Sequence, residues 1–168
     1  MLDNIMYVVC VGSSTIRLYN TDTCIPLDAV IDVEGMKYPK DIVVCRDERQ
    51  LYVADLRYRC IWRVSCDDHS YVKWLTGSTA GGFPAVTALS LTSRRLLVTS
   101  WLFRRLHQYN TTDRQLLRVV KLPQYLNFVW HGVETTRGTF VVGHRSTSQD
   151  QRQSAVSELL SLGLRSGK

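Results

Sequence analysis

The sequence repeats itself with a period near 45 residues, and this restricts the fold more than any other feature. Tyr7-Val8-Val9 is followed 45 residues later by Tyr52-Val53-Ala54, after another 45 by Leu97-Val98-Thr99, and after a further 43 by Phe140-Val141-Val142. A second strand-like segment follows each run at a fixed distance: Ile16–Tyr19, Ile61–Val64 and Leu106–Tyr109. These segments alternate apolar and polar residues, the period-two sign of a half-buried strand. Each then enters a turn rich in Asn, Asp, Ser and Thr: Asn20-Thr21-Asp22, Ser65-Cys66-Asp67 and Asn110-Thr111-Thr112-Asp113. Such side chains bond to nearby backbone groups and favour turns.

A third strand follows each turn, at Leu27–Val33, Val72–Thr76 and Leu117–Leu122. A fourth leads back to the next unit: Asp41–Val44 after Tyr38-Pro39, Val86–Leu89 after Phe83-Pro84, and Gly132–Glu134 after Phe128-Val129. Four short strands in 40 to 50 residues are the arithmetic of a β-propeller blade. A β-sandwich also has many short strands but does not require this repeat. The expectation is therefore an all-β chain with about three to four four-stranded blades. The units fall at about 5–50, 51–95, 96–138 and 139–159, within a propeller region of 1–159, with a frayed tail over 160–168. The first unit lacks its opening strand and the last lacks its closing one. Since propellers usually close with about 4 to 8 blades, the ring is expected to be incomplete and the chain part of a longer propeller, or half of a homodimer that closes the ring.

The stretch Tyr38–Val64, YPKDIVVCRDERQLYVADLRYRCIWRV, resembles an NHL-type propeller repeat. It has the aromatic-Pro pair, an apolar strand, a polar turn, the "YVAD" strand end and an outgoing strand. Asp55 matches the family's Asp, Tyr58 sits at its Asn position, and Cys60-Ile61 replaces its Arg-Ile pair. In the third unit Ser100 replaces the Asp while Arg105-Leu106 keeps the pair; in the first, Cys10 and Thr15 replace both polar positions. The resemblance covers roughly residues 5 to 159. It implies a propeller fold and the company of RING and B-box zinc modules, as in TRIM-like ubiquitin-ligase proteins. This chain carries no such zinc-ligand spacing, so a ligase role would belong to a larger relative.

Composition narrows the function. The net charge is +6, with 21 Lys and Arg against 15 Asp and Glu, spread along the chain without a basic run. That balance suits polyanions or simply a soluble surface. Cys10, Cys24, Cys45, Cys60 and Cys66 form no CxxC pair, and no His lies at zinc spacing from them. An odd thiol count with no signal peptide points to reduced cysteines and a cytoplasmic setting. No apolar run approaches the roughly 20 residues of a membrane span. No GxSxG, GxGxxG or P-loop occurs, so no cofactor is expected.

The loops between the first run of a unit and the strand-like segment that follows it offer the candidate binding residues: Arg57, Tyr58 and Arg59 in one unit, Trp101, Phe103, Arg104 and Arg105 in the next. Arg beside aromatic side chains is the composition of interface hot spots and also suits RNA. The bland reading packs the aromatics between blades and leaves the Arg heads in water; Trp62, Trp74, Trp101 and Trp130 are read as such packing residues. The expected function is a non-enzymatic scaffold that binds a protein partner, with RNA as the second class of ligand. The rival is a hydrolase or lactonase with a divalent cation in a central channel, for which Asp55 and Glu134 are the acids; His69, His107, His131 and His144 are scattered across the units and are read as packed or solvated, although His131 and His144 flank the last hairpin. One acid in the four equivalent positions (Cys10, Asp55, Ser100, Gly143) makes a poor cation cage, so neither catalytic nor metal-binding residues are assigned.

Overall fold

In the computed structural model the described residues are 2–77, 86–100, 103–126, 128–145 and 157–162, with Arg145 and 157–162 described through the backbone alone. They form fourteen strands: β1 (Ile5–Val9), β2 (Thr15–Asn20), β3 (Pro26–Asp32), β4 (Pro39–Cys45), β5 (Gln50–Asp55), β6 (Cys60–Ser65), β7 (Tyr71–Thr76), β8 (Val86–Thr92), β9 (Arg95–Ser100), β10 (Arg105–Asn110), β11 (Leu116–Lys121), β12 (Val129–Glu134), β13 (Phe140–Arg145) and β14 (Ser157–Leu162). These build four antiparallel meander sheets, β1-β2-β3, β4-β5-β6-β7, β8-β9-β10-β11 and β12-β13-β14. The all-β blade architecture expected from the repeat is what the chain adopts. Each sheet is a run of consecutive strands, because the two- to five-residue turns within the first three sheets and between β12 and β13 can join only antiparallel neighbours.

The chain divides into two compact units, Met1–Val86 and Thr87–Lys168. In the first unit, Tyr7, Ile16, Leu18, Ile31, Val33 and Met36 pack with Leu51, Val53, Trp62 and Val64 of the second sheet. In the second unit, Leu97, Leu106, Val120 and Leu122 pack with Leu126, Val129, Phe140 and Val142. Alternate residues of each strand supply these faces, so the period-two pattern becomes the packing pattern. β5 departs from strict alternation: Leu51, Tyr52, Val53 and Ala54 are all fully buried. Tyr52, on the other face from Leu51 and Val53, meets Trp74 edge-on at 5.0 Å between ring centres.

The β2–β3, β6–β7 and β10–β11 turns repeat one device. Asn20 Oδ1 accepts the backbone N–H groups of Asp22 and Thr23 at 2.9 and 3.0 Å, Ser65 Oγ those of Asp67 and Asp68 at 3.2 and 3.4 Å, and Asn110 Oδ1 that of Thr112 at 2.9 Å. The polar turn residues are thus there to receive N–H groups that the ladder cannot pair.

The last sheet differs from its expected register by one residue. Glu134 pairs with Phe140 and Val129 with His144, where the second sheet pairs Val44 with Leu51 and Pro39 with Asp55. The hairpin between β12 and β13 is one residue longer than that between β4 and β5, and it turns at Gly138 with a φ of 76°. His144, rather than Gly143, therefore stands where Asp55 stands. β14 runs to Leu162, which pairs with Phe140, so the ladder enters the stretch assigned from sequence to a tail. Phe83-Pro84, expected to lead into the strand at Val86, lies outside the described residues.

Candidate interaction surface

Asp55 closes β5, and no part of its side chain reaches solvent. A buried carboxylate is costly unless hydrogen bonds replace its water. Here five do. Oδ1 accepts the backbone N–H groups of Tyr38, Arg57 and Tyr58 at 3.3, 3.0 and 3.3 Å, and Oδ2 accepts those of Lys37 and the Trp62 indole at 2.9 and 3.3 Å. One anion thus holds the segment entering β4 and the turn leaving β5. The backbone N–H of Leu56 donates to the carbonyl of Tyr38 at 3.0 Å and that of Gly77 to the carbonyl of Arg59 at 3.0 Å, stitching the same corner together.

The residues so fixed present their side chains outward. Lys37, Tyr38, Lys40, Arg57, Tyr58, Arg59 and Lys73 are all exposed. The β4–β5 ladder slips between Pro39 and Asp41, a bulge that takes Lys40 out of the pairing. The Lys40 ammonium lies 4.9 Å from the Tyr38 ring centre, and that of Lys73 lies 4.9 Å from Tyr58 and 5.2 Å from Trp62. These are cation–π distances. Five cations and two tyrosines surround one buried acid. Beneath them, burial and the nearby Asp55 charge push the Cys60 thiol up to about 12, so it stays protonated and unreactive.

The sequence-predicted residues meet this surface unequally. Arg57, Tyr58 and Arg59 sit on it; Arg59 takes the left-handed turn position with a φ of 51°. Lys37, Tyr38, Lys40 and Lys73 were not singled out. The Tyr38-Pro39 pair was read only as the start of a strand, and Lys73 lies one strand further along, opposite Trp62.

Phe103, Arg104 and Arg105 belong to the other unit. Phe103 is exposed, and Arg104 donates from Nη1 to the carbonyl of Gln124 at 3.0 Å while its own carbonyl accepts from Leu122 at 2.9 Å. Arg104 therefore braces a turn. Arg105 is half-buried and, after burial itself, is the second influence holding the His107 imidazole below its usual range. Ser100 stands at Asp55's position, paired with Arg105 as Asp55 is with Cys60, but a hydroxyl cannot gather five donors; its buried Oγ has no hydrogen-bond partner among the described residues. Trp101 lies outside the described residues.

The acids suggested for a channel are engaged elsewhere. Glu134 accepts from Gln108 Nε2 and from Arg118 Nη2, the latter at 2.6 Å, and the Arg118 guanidinium lies 4.4 Å from the Phe140 ring centre. Among the described residues no cluster of three or more His, Cys, Asp and Glu is placed to hold a metal. Trp62 and Trp74 are buried, in keeping with a packing role, whereas Trp130 is 54% exposed. The β12–β13 ladder slips between Val129 and His131, so Trp130 is bulged out as Lys40 is.

No family model matches the sequence, and no curated protein matches it. Solved structures do match the fold. The chain superposes on the WD40 repeats of RRP9 with a TM-score of 0.66 at 15% identity, over 85% of this chain and 42% of that one. It superposes on the hydrazine synthase of Kuenenia stuttgartiensis with a TM-score of 0.67 at 10% identity, over 87% of this chain and 40% of that one. These likenesses establish a β-propeller-like fold. The chain spans about two fifths of the length of either structure. No helix among the described residues is long and apolar enough to cross a membrane.

Proposed function

We propose that the protein is a non-enzymatic binding scaffold that engages a protein partner through the corner of the second sheet organised by Asp55. The observation that carries this reading is the five-donor grip on Asp55, which fixes two loops and leaves five cations and two tyrosines facing solvent. Rigid loops bind with little ordering cost, and propellers bind through their loops. The likeness to a WD40 repeat domain supports an interaction role in general. The Tyr38–Val64 pattern supports the narrower assignment to an NHL-type repeat. The five unpaired thiols fit a reducing, cytoplasmic setting, and closure by a homodimer of half-rings remains part of the reading. The lactonase alternative is not favoured, since Asp55 and Glu134 are saturated by donors of the fold itself.

The test is site-specific photo-crosslinking in cells, with a benzophenone side chain replacing Tyr58 and, as a control, Val30, which is 54% exposed in the same unit. An adduct specific to position 58, resistant to ribonuclease and removed by protease, is the expected result. No adduct at 58, or one that ribonuclease removes, defeats the proposal.

A further inference from the structure

The geometry points to an acidic peptide segment, recognised through its carboxylates, as the ligand of the Asp55 corner. This deepens the scaffold reading and rests on it. Lys37, Lys40, Arg57, Arg59 and Lys73 crowd one end of one sheet, and the acid among them, Asp55, is sealed beneath the surface with both oxygens occupied. Its charge steadies the loops but offers nothing for a ligand to meet. A partner that reaches this corner meets five cations, with the exposed Glu34 and the half-buried Asp41 beside them in the chain, a balance that attracts the opposite sign.

The aromatic rings choose between classes of anion. Nucleic acid bound without sequence preference stacks its bases on open aromatic faces. Here one face of Tyr58 is covered by the Lys73 ammonium and one face of Tyr38 by that of Lys40, each at 4.9 Å. The rings serve to hold ammonium groups upright on the surface. Three of the five cations are lysines, compact point charges that meet single carboxylates, and Arg57 and Arg59 add planar forks that can grip a carboxylate with two N–H groups. Spacing suits an extended peptide: the cations come from the segment before β4, the bulge at the start of β4, the turn after β5 and from β7, so alternate acidic side chains of one strand-like ligand can reach different elements.

The experiment uses the full chain and a fluorescein-labelled peptide of about twelve residues alternating Glu and Gly. Its controls are the same peptide with Gln for Glu and an oligouridine RNA of similar length. Fluorescence anisotropy is expected to show binding of the Glu peptide, with the Gln peptide and the RNA weaker by about ten-fold or more, and with affinity falling as salt rises from about 50 to about 250 mM. The double reversal Lys37→Glu/Arg57→Glu, whose side chains are exposed and whose backbone N–H groups still serve Asp55, is expected to weaken binding by about ten-fold or more. Lys40→Gln/Arg59→Gly is the second variant, since glycine suits the positive φ at 59; a several-fold loss is expected. Equal binding of Glu and Gln peptides, preference for RNA, or affinity untouched by both variants overturns the inference. A ribonuclease-resistant crosslink at position 58 together with indifference to the Glu peptide would leave the scaffold standing and remove only its acidic ligand.

Discussion

Replacing Asp55 with asparagine is the sharpest test of how the corner is built. The amide has the shape of the carboxylate but keeps one acceptor oxygen and turns the other into a donor. With its oxygen on the Oδ1 side it still accepts from Tyr38, Arg57 and Tyr58. Its NH2 then points at the N–H of Lys37 and at the Trp62 indole, which are both donors. Those two groups lose their acceptor, and the new NH2 has none. At about 1–3 kcal/mol for each of the two donors that lose their acceptor, Asp55→Asn should cost about 2–6 kcal/mol, with the stranded NH2 adding to it. That is a large share of a typical total of about 5–15 kcal/mol. Urea denaturation followed by tryptophan fluorescence reads it well, because Trp62 and Trp74 are buried in this unit. The control is Asp67→Asn, which breaks an ion pair to Arg49 whose side chains are 60% and 44% exposed and should leave stability nearly unchanged. If Asp55→Asn is no more costly than Asp67→Asn, the carboxylate is not what holds the loops.

Three further outcomes follow from the same geometry. Glu134→Gln breaks a pair in which Glu134 is 5% and Arg118 28% exposed; allowing for the water that still reaches Arg118, the loss should be about 1–3 kcal/mol, seen as a lower melting temperature. His107 is buried neutral, and its folded pKa lies below the unfolded value, burial being the main cause and Arg105 the second. The unfolded chain therefore binds the extra proton, so this contribution is complete above about pH 6.5 and shrinks as pH falls toward the folded pKa; His107→Gln should flatten the acid limb of the urea midpoint against pH, and coincident profiles would refute it. Thiol titration of the native chain should modify exposed Cys10 and Cys24 readily and spare buried Cys45 and Cys60 until denaturant is added; rapid labelling of Cys60 would contradict its raised pKa and its burial.

The blade pattern was legible because period-two alternation and local turn chemistry are written in adjacent residues. Asn20, Ser65 and Asn110 act on neighbours two and three positions away, so their role is visible in the sequence. The one-residue shift that brings His144 to Asp55's place was not legible, because it depends on how the hairpin around Gly138 is spent. Asp55 was visible as a residue type, but its partners are main-chain N–H groups, which every residue carries and no sequence pattern marks. Lys73 was missed for a different reason: it joins the corner only once β7 pairs with β6 and sets it opposite Trp62. Trp130 misled because a large apolar side chain ordinarily signals burial, and only the bulge in β12 turns it outward.

The grip on Asp55 separates two jobs that most surface residues share. Lys37, Tyr38, Arg57 and Tyr58 each give the fold a backbone N–H and nothing from the side chain to that carboxylate. The fold at these positions is therefore nearly blind to residue identity, provided the backbone can still donate; proline alone is barred at all four. Such positions are free to drift in sequence while the frame under them holds still. A corner built this way is a display site: its specificity can be rewritten by single substitutions without renegotiating the architecture, and Asp55 is the residue that must stay for the others to change.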